Sequence, residues 1–318
     1  MRIGVLTSGG DAPGMNAAIR AVVRRGVSAG MGILGIRRGF DGLLDGDMVS
    51  LKVESVGDII HRGGTILHTA RSDRFMHPEG VDLGAARLRG AAIDGLIVIG
   101  GDGSFRGMVE LGKRGVRAIG VPGTIDNDLS FTDYTIGFDT AVNTGVEAVN
   151  RLRDTATSHE RIFVVETMGR HEGHLALAVG IAGGAETVLI PELPVNIEEI
   201  CQKLRKGLDR GKVHSIIVVA EGAGSGFDVA RRIEACLGLE LRVTVLGHVQ
   251  RGGTPTAFDR LLASRLGAKA VDLLASGESG LMVGISGNKI VSTPIERVLA
   301  TKRPIDMDVY NLAQDLAR

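Results

Sequence analysis

The sequence lacks the features that would assign it to several large classes of protein. Only two of its 318 residues are cysteines, Cys201 and Cys236, which is too few for a disulfide framework and fits no metal-site spacing. We therefore expect reduced thiols in a cytoplasmic protein. Because 37 basic residues balance 37 acidic ones, the net charge is zero. A chain-wide field that would attract nucleic acid or an anionic membrane is absent.

Long apolar runs are missing as well. No run approaches the ~18 residues of a transmembrane helix, and the chain begins with an apparent strand where a signal peptide would stand. The sequence also contains no long linker, low-complexity segment or short-period repeat. With 44% hydrophobic and 23% charged residues, the composition is that of a globular protein, and the length suggests about two domains.

Glycine, by contrast, is abundant, at 47 residues, and it clusters where short apolar runs end. Such clusters indicate tight turns and close approach to a ligand. Apolar runs alternate with amphipathic segments, which predicts doubly wound α/β sheets with ligands at the carboxyl ends of the strands. The predicted buried strands are 3–6, 95–99, 118–121, 162–165, 215–219 and 243–246, and the predicted helices are 14–29, 139–157, 196–210 and 256–276.

The most informative segment is 122–128, which follows one of these apolar runs. It combines Gly123, the hydroxyl of Thr124 and two carboxylates, Asp126 and Asp128. A glycine that leaves the backbone open, a hydroxyl that donates and a carboxylate that accepts a proton suit phosphoryl transfer. That chemistry also needs a phosphate cradle and a metal ligand.

Two glycine-rich turns are candidates for the cradle. Segment 7–16 resembles a strand-to-helix turn that favours a phosphate, although a tight turn for packing is the alternative. It has neither the Walker lysine nor a G-x-G-x-x-G pattern, which argues against a P-loop and a dehydrogenase. Segment 100–104 places Asp102 among glycines, where it could bind Mg²⁺. The alternative is that Asp102 caps a helix with help from Ser104.

Segments 166–173 and 247–253 each place an arginine and a histidine near glycines at a strand end. Arginine suits phosphate recognition, whereas a packed or capping histidine is the alternative for each His. Arg20 and Arg24 are four residues apart and share a helix face, and 210–214 is a second basic cluster. For both clusters the alternative is a solvated basic surface.

Together and in this order, the motifs resemble the bacterial type of ATP-dependent 6-phosphofructokinase over essentially the whole chain. The resemblance implies two Rossmann-like doubly wound α/β domains, with residues 1–137 plus 251–300 binding ATP and residues 138–250 plus 301–318 binding fructose 6-phosphate. It implies a glycolytic kinase that uses Mg²⁺ and transfers the γ-phosphoryl group of ATP to the sugar's 1-hydroxyl. It further implies a homotetramer that ADP or phosphoenolpyruvate regulates.

The resemblance also implies roles for individual residues. Asp126 would accept the proton, with Thr124, Asp128 and Arg170 completing the catalytic set. ATP would contact Gly10, Arg71, Ser72, Asp102, Gly103 and Ser104, with Mg²⁺ at Asp102. Fructose 6-phosphate would contact Thr124, Asp126, Arg161, Met168, Gly169, Arg170, Glu221, Arg242, His248 and Arg251, of which Arg161 and Arg242 would come from a neighbouring subunit. The effector would contact Arg20, Arg24, Arg153, Gly184, Glu186, Arg210, Lys212 and His214.

Four positions bear on details of this resemblance. Val213 stands where relatives often have lysine, which should remove one contact with the effector's phosphate. Glu172 stands where a small residue is usual, and it either raises the requirement for fructose 6-phosphate or points to solvent. Pyrophosphate-dependent relatives tend to have Asp at position 103 and Lys at position 123, whereas this chain has glycine at both. An Asp at 103 would repel the α-phosphate of a nucleotide, so ATP is the expected donor.

Three alternatives stay open at this point. A pyrophosphate-dependent phosphofructokinase would differ in its donor. A non-catalytic sugar-phosphate sensor would be expected to have lost Asp102 or Asp126, and both are present. A nucleotide-dependent oxidoreductase would need the dinucleotide fingerprint that the chain lacks.

Overall fold

The computed structural model describes residues 1–317, and the chain divides into two compact units. Unit 1 comprises Met1–Thr140 and Arg251–Arg303, and unit 2 comprises Ala141–Gln250 and the segment from Pro304 onward. The chain therefore changes unit after residues 140, 250 and 303, where the sequence analysis placed the changes after 137, 250 and 300.

The secondary structure alternates between strands and helices along the chain. The strands are β1 (Arg2–Thr7), β2 (Gly32–Ile36), β3 (Met48–Leu51), β4 (Gly95–Gly100), β5 (Ala118–Thr124), β6 (Ile136–Gly137), β7 (Ile162–Thr167), β8 (Thr187–Leu189), β9 (Ser215–Ala220), β10 (Leu241–Val245), β11 (Leu281–Ser286) and β12 (Lys289–Pro294). The helices are α1 (Met15–Ser28), α2 (Gly39–Asp45), α3 (Pro78–Gly90), α4 (Asp102–Gly112), α5 (Phe138–His159), α6 (His174–Ala182), α7 (Ile197–Asp209), α8 (Gly226–Leu237), α9 (Ala257–Ala275), α10 (Ile295–Ala300) and α11 (Met307–Leu316).

The sheet of unit 1 runs in the order β12-β11-β5-β4-β1-β2-β3, and β6 pairs with the end of β5. Its central strands are parallel, whereas β3 and β12 pair antiparallel at the two edges. Every residue of β4 is buried, because helices cover both faces of a parallel sheet. The ends of β5, β4 and β1 consequently lie side by side at one edge of the sheet.

The sheet of unit 2 runs in the order β10-β7-β9-β8, and its strands are parallel. Strands β7 and β9 are apolar and almost wholly buried, as predicted. The predicted strand at 243–246 is confirmed for residues 243–245, but its predicted burial is wrong, because β10 is an edge strand in which only Leu241 is buried. An edge strand has one neighbour, so its side chains are less completely covered.

The predicted fold class is confirmed, since both units are doubly wound α/β sheets. The four predicted helices correspond to α1, α5, α7 and α9, with bounds that differ from the predicted ones by two residues at most. Within residues 1–317, no helix combines the length and the apolar character that crossing a membrane would require.

A buried carboxylate joins the start of α5 to the start of α9. Asp259 is fully buried, and its carboxylate accepts hydrogen bonds from the backbone N–H of Gly137 and of Thr140, both at 2.8 Å. The hydroxyl of Thr140 donates to it as well, at 2.5 Å. Burial raises the pKa of Asp259, and the hydrogen bonds from Thr140 and Gly137 act in the opposite direction.

We expect Asp259→Asn to lower the free energy of unfolding by about 1–3 kcal/mol, since its amide would face an N–H group and leave a buried donor unsatisfied. The folded-state pKa of Asp259 is raised, so the stability that its titration contributes is full below the unfolded pKa and is lost as the pH rises through the folded value. The deficit of the variant should therefore shrink as the pH rises.

Urea unfolding of both proteins at several pH values from about 4 upward measures this difference. Asp272→Asn is the matched control, because Asp272 lies on the same helix in a solvent-exposed pair with Arg25. A deficit that grows with pH, or equals that of the control, would contradict the assignment.

Candidate active site

The glycine-rich turn after β1 leads directly into α1. Gly9 and Gly14 have φ angles of 87° and 105°, which explains why glycine occupies both positions. The backbone N–H of Ser8 donates to the carbonyl of Ile99 at 3.0 Å, so the turn stays beside β4. The first turn of α1 contains no acidic side chain, and its N–H groups and dipole therefore favour an anion.

The turn after β4 contacts the turn after β1. The hydroxyl of Ser104 donates to the carbonyl of Ser8 at 2.9 Å. A Cβ atom at Gly100 would lie 2.5 Å from the Ser104 hydroxyl and 2.6 Å from the Ser8 carbonyl oxygen, so the close approach requires glycine. The two glycine-rich segments singled out in the sequence thus form one surface at the edge of the sheet.

Asp102 is the first residue of α4, and Gly101 holds the capping position. The alternative that Asp102 caps the helix is therefore excluded, and the predicted role as a Mg²⁺ ligand stays a prediction. Its carboxylate instead receives hydrogen bonds from Arg106, one turn later, at 2.8 and 3.2 Å. Asp102 is half-exposed, and this ion pair raises the pKa of Arg106. A carboxylate so exposed and so close to the phosphate-favouring turns can exchange Arg106 for a bound cation.

The segment that contains Arg71 and Ser72 is fixed by a carboxylate that the sequence analysis missed. Ser72 donates to Asp41 of α2 at 3.1 Å, and Arg74 bonds both Asp41, at 3.4 Å, and Asp45, at 3.0 Å. The hydrogen bond from Arg74, together with Arg38, lowers the pKa of Asp45. Position 41 carries no motif, so only the fold reveals this support.

The loop after β5 alternates between half-exposed and buried side chains. Thr124, Asp126 and Asp128 are half-exposed, while Ile125 and Asn127 between them are buried. The alternation directs the Thr124 hydroxyl and the Asp126 carboxylate away from the core, whereas one carboxylate oxygen of Asp128 is buried. The Thr124 hydroxyl lies 3.4 Å from a carboxylate oxygen of Asp126 and accepts a hydrogen bond from the Asp126 backbone at 3.2 Å.

Asn127 holds this loop from inside. Its φ of 51° is left-handed, a conformation that asparagine tolerates better than most residues. Its side-chain oxygen accepts from the N–H of Thr135 at 2.9 Å, and its amide donates to the carbonyl of Asp133 at 3.3 Å. The Thr135 hydroxyl in turn donates to the carbonyl of Thr124 at 2.6 Å. The backbone around Asp126 is therefore fixed on both sides.

Arg303 supports the same loop and was not singled out in the sequence. Its guanidinium donates to the carbonyls of Thr132 and Asp133 at 2.7 and 3.0 Å. Burial lowers the pKa of Arg303, while the charges of Asp133 and Asp128 act in the opposite direction. Arg303 thus places a positive charge behind Asp128, far from any motif in the sequence.

In unit 2, the predicted sugar-site residues meet at the carboxyl ends of β7 and β9. The backbone N–H of Glu221 donates to the carbonyl of Thr167 at 2.9 Å, and that of Gly222 donates to Gly169 at 3.1 Å. Gly169 has a φ of 132°. The N–H of Met168 donates at 2.8 Å to Gln250, a fully buried residue that the sequence analysis did not select. Arg170 and His248 are exposed.

Arg161 and Arg242 are not part of that group. Ile162 pairs with Leu241 at the amino ends of β7 and β10, so the two arginines lie near each other at the opposite end of the sheet from Met168 and Glu221. Strand β7 has six residues, which separates its ends by about 17–20 Å. Within unit 2, these arginines cannot contact a ligand held at the carboxyl ends.

Arg251 lies against the first glycine-rich turn, within unit 1. Its guanidinium donates to the carbonyl of Asp11 at 3.2 Å. A Cβ atom at Gly10 would overlap that guanidinium and come 2.8 Å from its Cζ atom. The absence of a side chain at Gly10 therefore makes space for the guanidinium of Arg251.

Glu172 is buried, with 8% of its surface exposed. The expectation that it points to solvent is wrong. It follows two exposed residues, Arg170 and His171, in the turn that leads from β7 to α6, and the chain folds back there to bury it.

Several of the predicted effector residues of unit 2 make close polar contacts. Arg153 donates to the carbonyls of Gly183 and Gly184 at 2.6 and 2.8 Å. The carboxylate of Glu186, which is buried, pairs with Lys212 at 2.6 Å. Arg20 and Arg24 lie in unit 1 on α1, the first half-exposed and the second exposed.

Both units thus bring phosphate-binding residue types to the carboxyl ends of parallel strands, which defines a class of α/β proteins that act on phosphorylated ligands. The family model described as Phosphofructokinase matches residues 2–274. The ATP-dependent 6-phosphofructokinases of Halalkalibacterium halodurans and Shouchella clausii are 58% and 57% identical to the chain over 316 residues, covering 99% of each sequence. The chain belongs to the phosphofructokinase family.

Solved structures agree with this membership. Phosphofructokinase from Saccharomyces cerevisiae superposes with a TM-score of 0.88 at 37% identity, and the match covers 99% of this chain and 48% of the yeast chain. The chain therefore spans about half the length of that relative. A pyrophosphate-dependent phosphofructokinase from Marinobacter aquaeolei has a TM-score of 0.86 at 23% identity, with 100% and 92% of the two chains covered, and shares the fold.

We expect Gly10→Ala to displace Arg251 without unfolding the protein, because the clash involves the end of a flexible side chain. Turnover in a phosphofructokinase assay should fall by about tenfold to a hundredfold through this misplacement, while the melting temperature stays close to that of the wild type. If the two residues act as a unit, the effects of Gly10→Ala and Arg251→Ala are not additive in a double-mutant cycle. Additive losses would show that Gly10 acts independently of Arg251.

Proposed function

We propose that the protein transfers the γ-phosphoryl group of ATP to the 1-hydroxyl of fructose 6-phosphate, giving fructose 1,6-bisphosphate and ADP. The observation that carries this proposal is the adjacency of β5, β4 and β1 in one sheet. The carboxylate loop follows β5, and the two glycine-rich turns follow β4 and β1. A phosphoryl donor and a proton acceptor can therefore meet at a single edge.

In the proposed reaction, Asp126 accepts the proton of the sugar's 1-hydroxyl as that oxygen attacks the γ-phosphorus. The bond between the γ-phosphorus and the bridging oxygen of the donor breaks, and ADP leaves with the electron pair. Thr124 adjoins the Asp126 carboxylate at 3.4 Å, where its hydroxyl can donate to a phosphoryl oxygen. Asp128 orients the sugar, and Arg170 offsets the charge that develops on the transferring group.

Unit 1 supplies the nucleotide contacts in this proposal. Gly10, Arg71, Ser72, Gly103 and Ser104 bind ATP, and Asp102 binds Mg²⁺. The donor set fits a metal that arrives with the nucleotide, since residues 1–317 contain no cluster of three potential metal ligands and Mg²⁺ often takes one or two carboxylates plus phosphate oxygens. When bound, Mg²⁺ neutralises the charge of the nucleotide phosphates.

Fructose 6-phosphate contacts Thr124, Asp126, Met168, Gly169, Arg170, Glu221, His248 and Arg251 in this proposal. Arg161 and Arg242 complete the site from a neighbouring subunit of a homotetramer. Their location at the amino ends of β7 and β10 supports this assignment, because it faces them away from the ligand of their own chain.

The donor follows from the space around Gly103. A Cβ atom there would meet no atom within 4 Å, so packing does not require glycine at this position. An open position beside the phosphate-binding turn leaves room for the α-phosphate and nucleoside of ATP, which pyrophosphate lacks.

A coupled assay for fructose 1,6-bisphosphate tests the proposal, with fructose 6-phosphate as acceptor and either ATP or pyrophosphate as donor. We expect product with ATP and Mg²⁺, and none with pyrophosphate. Product with pyrophosphate alone would establish the pyrophosphate-dependent enzyme instead, and none with either donor would leave the sugar-phosphate sensor.

We expect Asp126→Asn to lower kcat by roughly 10²–10⁴, the usual contribution of general-base catalysis. Binding of both substrates should persist, because the amide keeps the shape of the carboxylate. Steady-state kinetics and calorimetric titration with each substrate measure the two effects. Asp228→Asn, an exposed surface change on α8, is the control, and a variant of Asp126 within threefold of it would exclude Asp126 as the base.

Gly103→Asp should abolish ATP use while leaving the fold intact, since its side chain enters open space and repels the α-phosphate. At close range in a partly desolvated site this repulsion amounts to a few kcal/mol, or a loss of about a hundredfold or more in affinity. Gly112→Asp is a matched control in the same helix, where a Cβ also meets no atom within 4 Å. Intact ATP turnover in Gly103→Asp, with melting temperatures equal, would overturn the donor argument.

A further inference from the structure

Unit 2 contains a cavity of about 550 Å³ beside the last turns of α7. Four cations line it, Lys203, Lys206, Arg210 and Lys212, against the two carboxylates of Glu186 and Asp209. The excess of positive charge favours an anion. Two of the cations, Lys203 and Lys206, belong to none of the motifs considered above.

Three of the cations lie on one face of α7 and its C-terminal residue. Positions 206 and 210 follow position 203 by three and seven residues, a spacing that places the side chains on one side of a helix. Lys203 is already engaged, because its ammonium donates to Gln314 of α11 at 3.0 Å. Lys206 is exposed and has no ion-pair partner among the described residues, so its charge is available to a ligand.

Val213 lies outside this cavity. The residues on either side of it, Lys212 and His214, are half-buried, whereas Val213 is 40% exposed. This alternation in burial indicates that neighbouring side chains in the segment before β9 point in opposite directions. A lysine at position 213 would therefore not share the face from which Lys212 enters the cavity.

We infer that Lys206 binds the phosphate of the effector in this chain and supplies the positive charge that Val213 does not. This inference rests on the proposed function and on the effector residues that the resemblance implies, of which Glu186, Arg210 and Lys212 line this cavity. The ligand class is a small phosphate ester or diphosphate, and phosphoenolpyruvate and ADP represent its two sources. The positive charge that position 213 lacks then comes from α7.

Calorimetric titration with phosphoenolpyruvate tests the inference directly, because this probe is not a substrate of the proposed reaction. Lys206→Ala should bind it about tenfold or more weakly, the effect of one charge-assisted contact. Val213→Lys should change its affinity less than Lys206→Ala does. Arg232→Ala, which removes an exposed cation of α8 outside the cavity, is the matched control and should bind like the wild type.

The same variants are then titrated with ADP while fructose 6-phosphate saturation is followed, which separates the two effector sources. If Lys206→Ala changes only the half-effect concentration of ADP, Lys206 binds the diphosphate. If it changes only the affinity for phosphoenolpyruvate, Lys206 binds the phosphoenol ester. Unchanged values for both in Lys206→Ala, or a larger gain from Val213→Lys, would overturn the inference. Lys206 would then only offset the dipole of α7, and its loss would change the melting temperature alone.

A wild-type protein that phosphorylates fructose 6-phosphate but shows no difference between variants refutes this inference and leaves the proposed function standing. A wild-type protein without that activity refutes the proposed function, whatever the titrations show.

Discussion

The chemistry proposed for this protein depends on a loop whose two ends are paired to each other. Gly123 and Thr124, at the end of β5, pair with Ile136 and Gly137 of β6, so the residues between them form a closed loop. Asp259 holds the closure through the N–H of Gly137, and Asn127 fills the interior. With its backbone bonded at both ends and in the middle, the loop presents Asp126 in one orientation, and preorganised catalytic groups lose little on reaching the transition state.

The order of the strands determines what this loop can meet. Because β5, β4 and β1 are neighbours, the proton acceptor, Asp102 and the first glycine-rich turn project from the same edge. The hydrogen bond from Ser104 to Ser8 holds the turn that contains Asp102 against the first glycine-rich turn. Unit 2 repeats the principle with β7 and β9, whose ends carry Met168, Gly169 and Glu221. In each unit the sheet is a buried scaffold, and the residues proposed to act lie in the turns beyond it.

Much of this could be read from the sequence, because the signals were local. Apolar runs gave β1, β4, β7 and β9, and glycines before or after them marked the turns. What could not be read depends on contacts between distant positions. Asp41 supports Ser72 from 31 residues away, and Arg303 supports Thr132 from 171 residues away. Gln250 lies within a selected segment but acts through its burial, which no pattern of residue types reveals. The edge position of β10 and the burial of Glu172 likewise follow from neighbours that only the fold supplies.

We expect the interior of the 124–137 loop, and not Asp126 alone, to set the rate of phosphoryl transfer. The most direct measurement is the single-turnover rate of fructose 1,6-bisphosphate formation by Asn127→Gly at saturating ATP and fructose 6-phosphate. Glycine tolerates the left-handed backbone at this position but removes every side-chain hydrogen bond that Asn127 makes with Asp133 and Thr135. We expect the rate to fall by about tenfold to a hundredfold, the cost of a small misplacement of a catalytic group, while the protein stays folded. A rate equal to that of the wild type would contradict it.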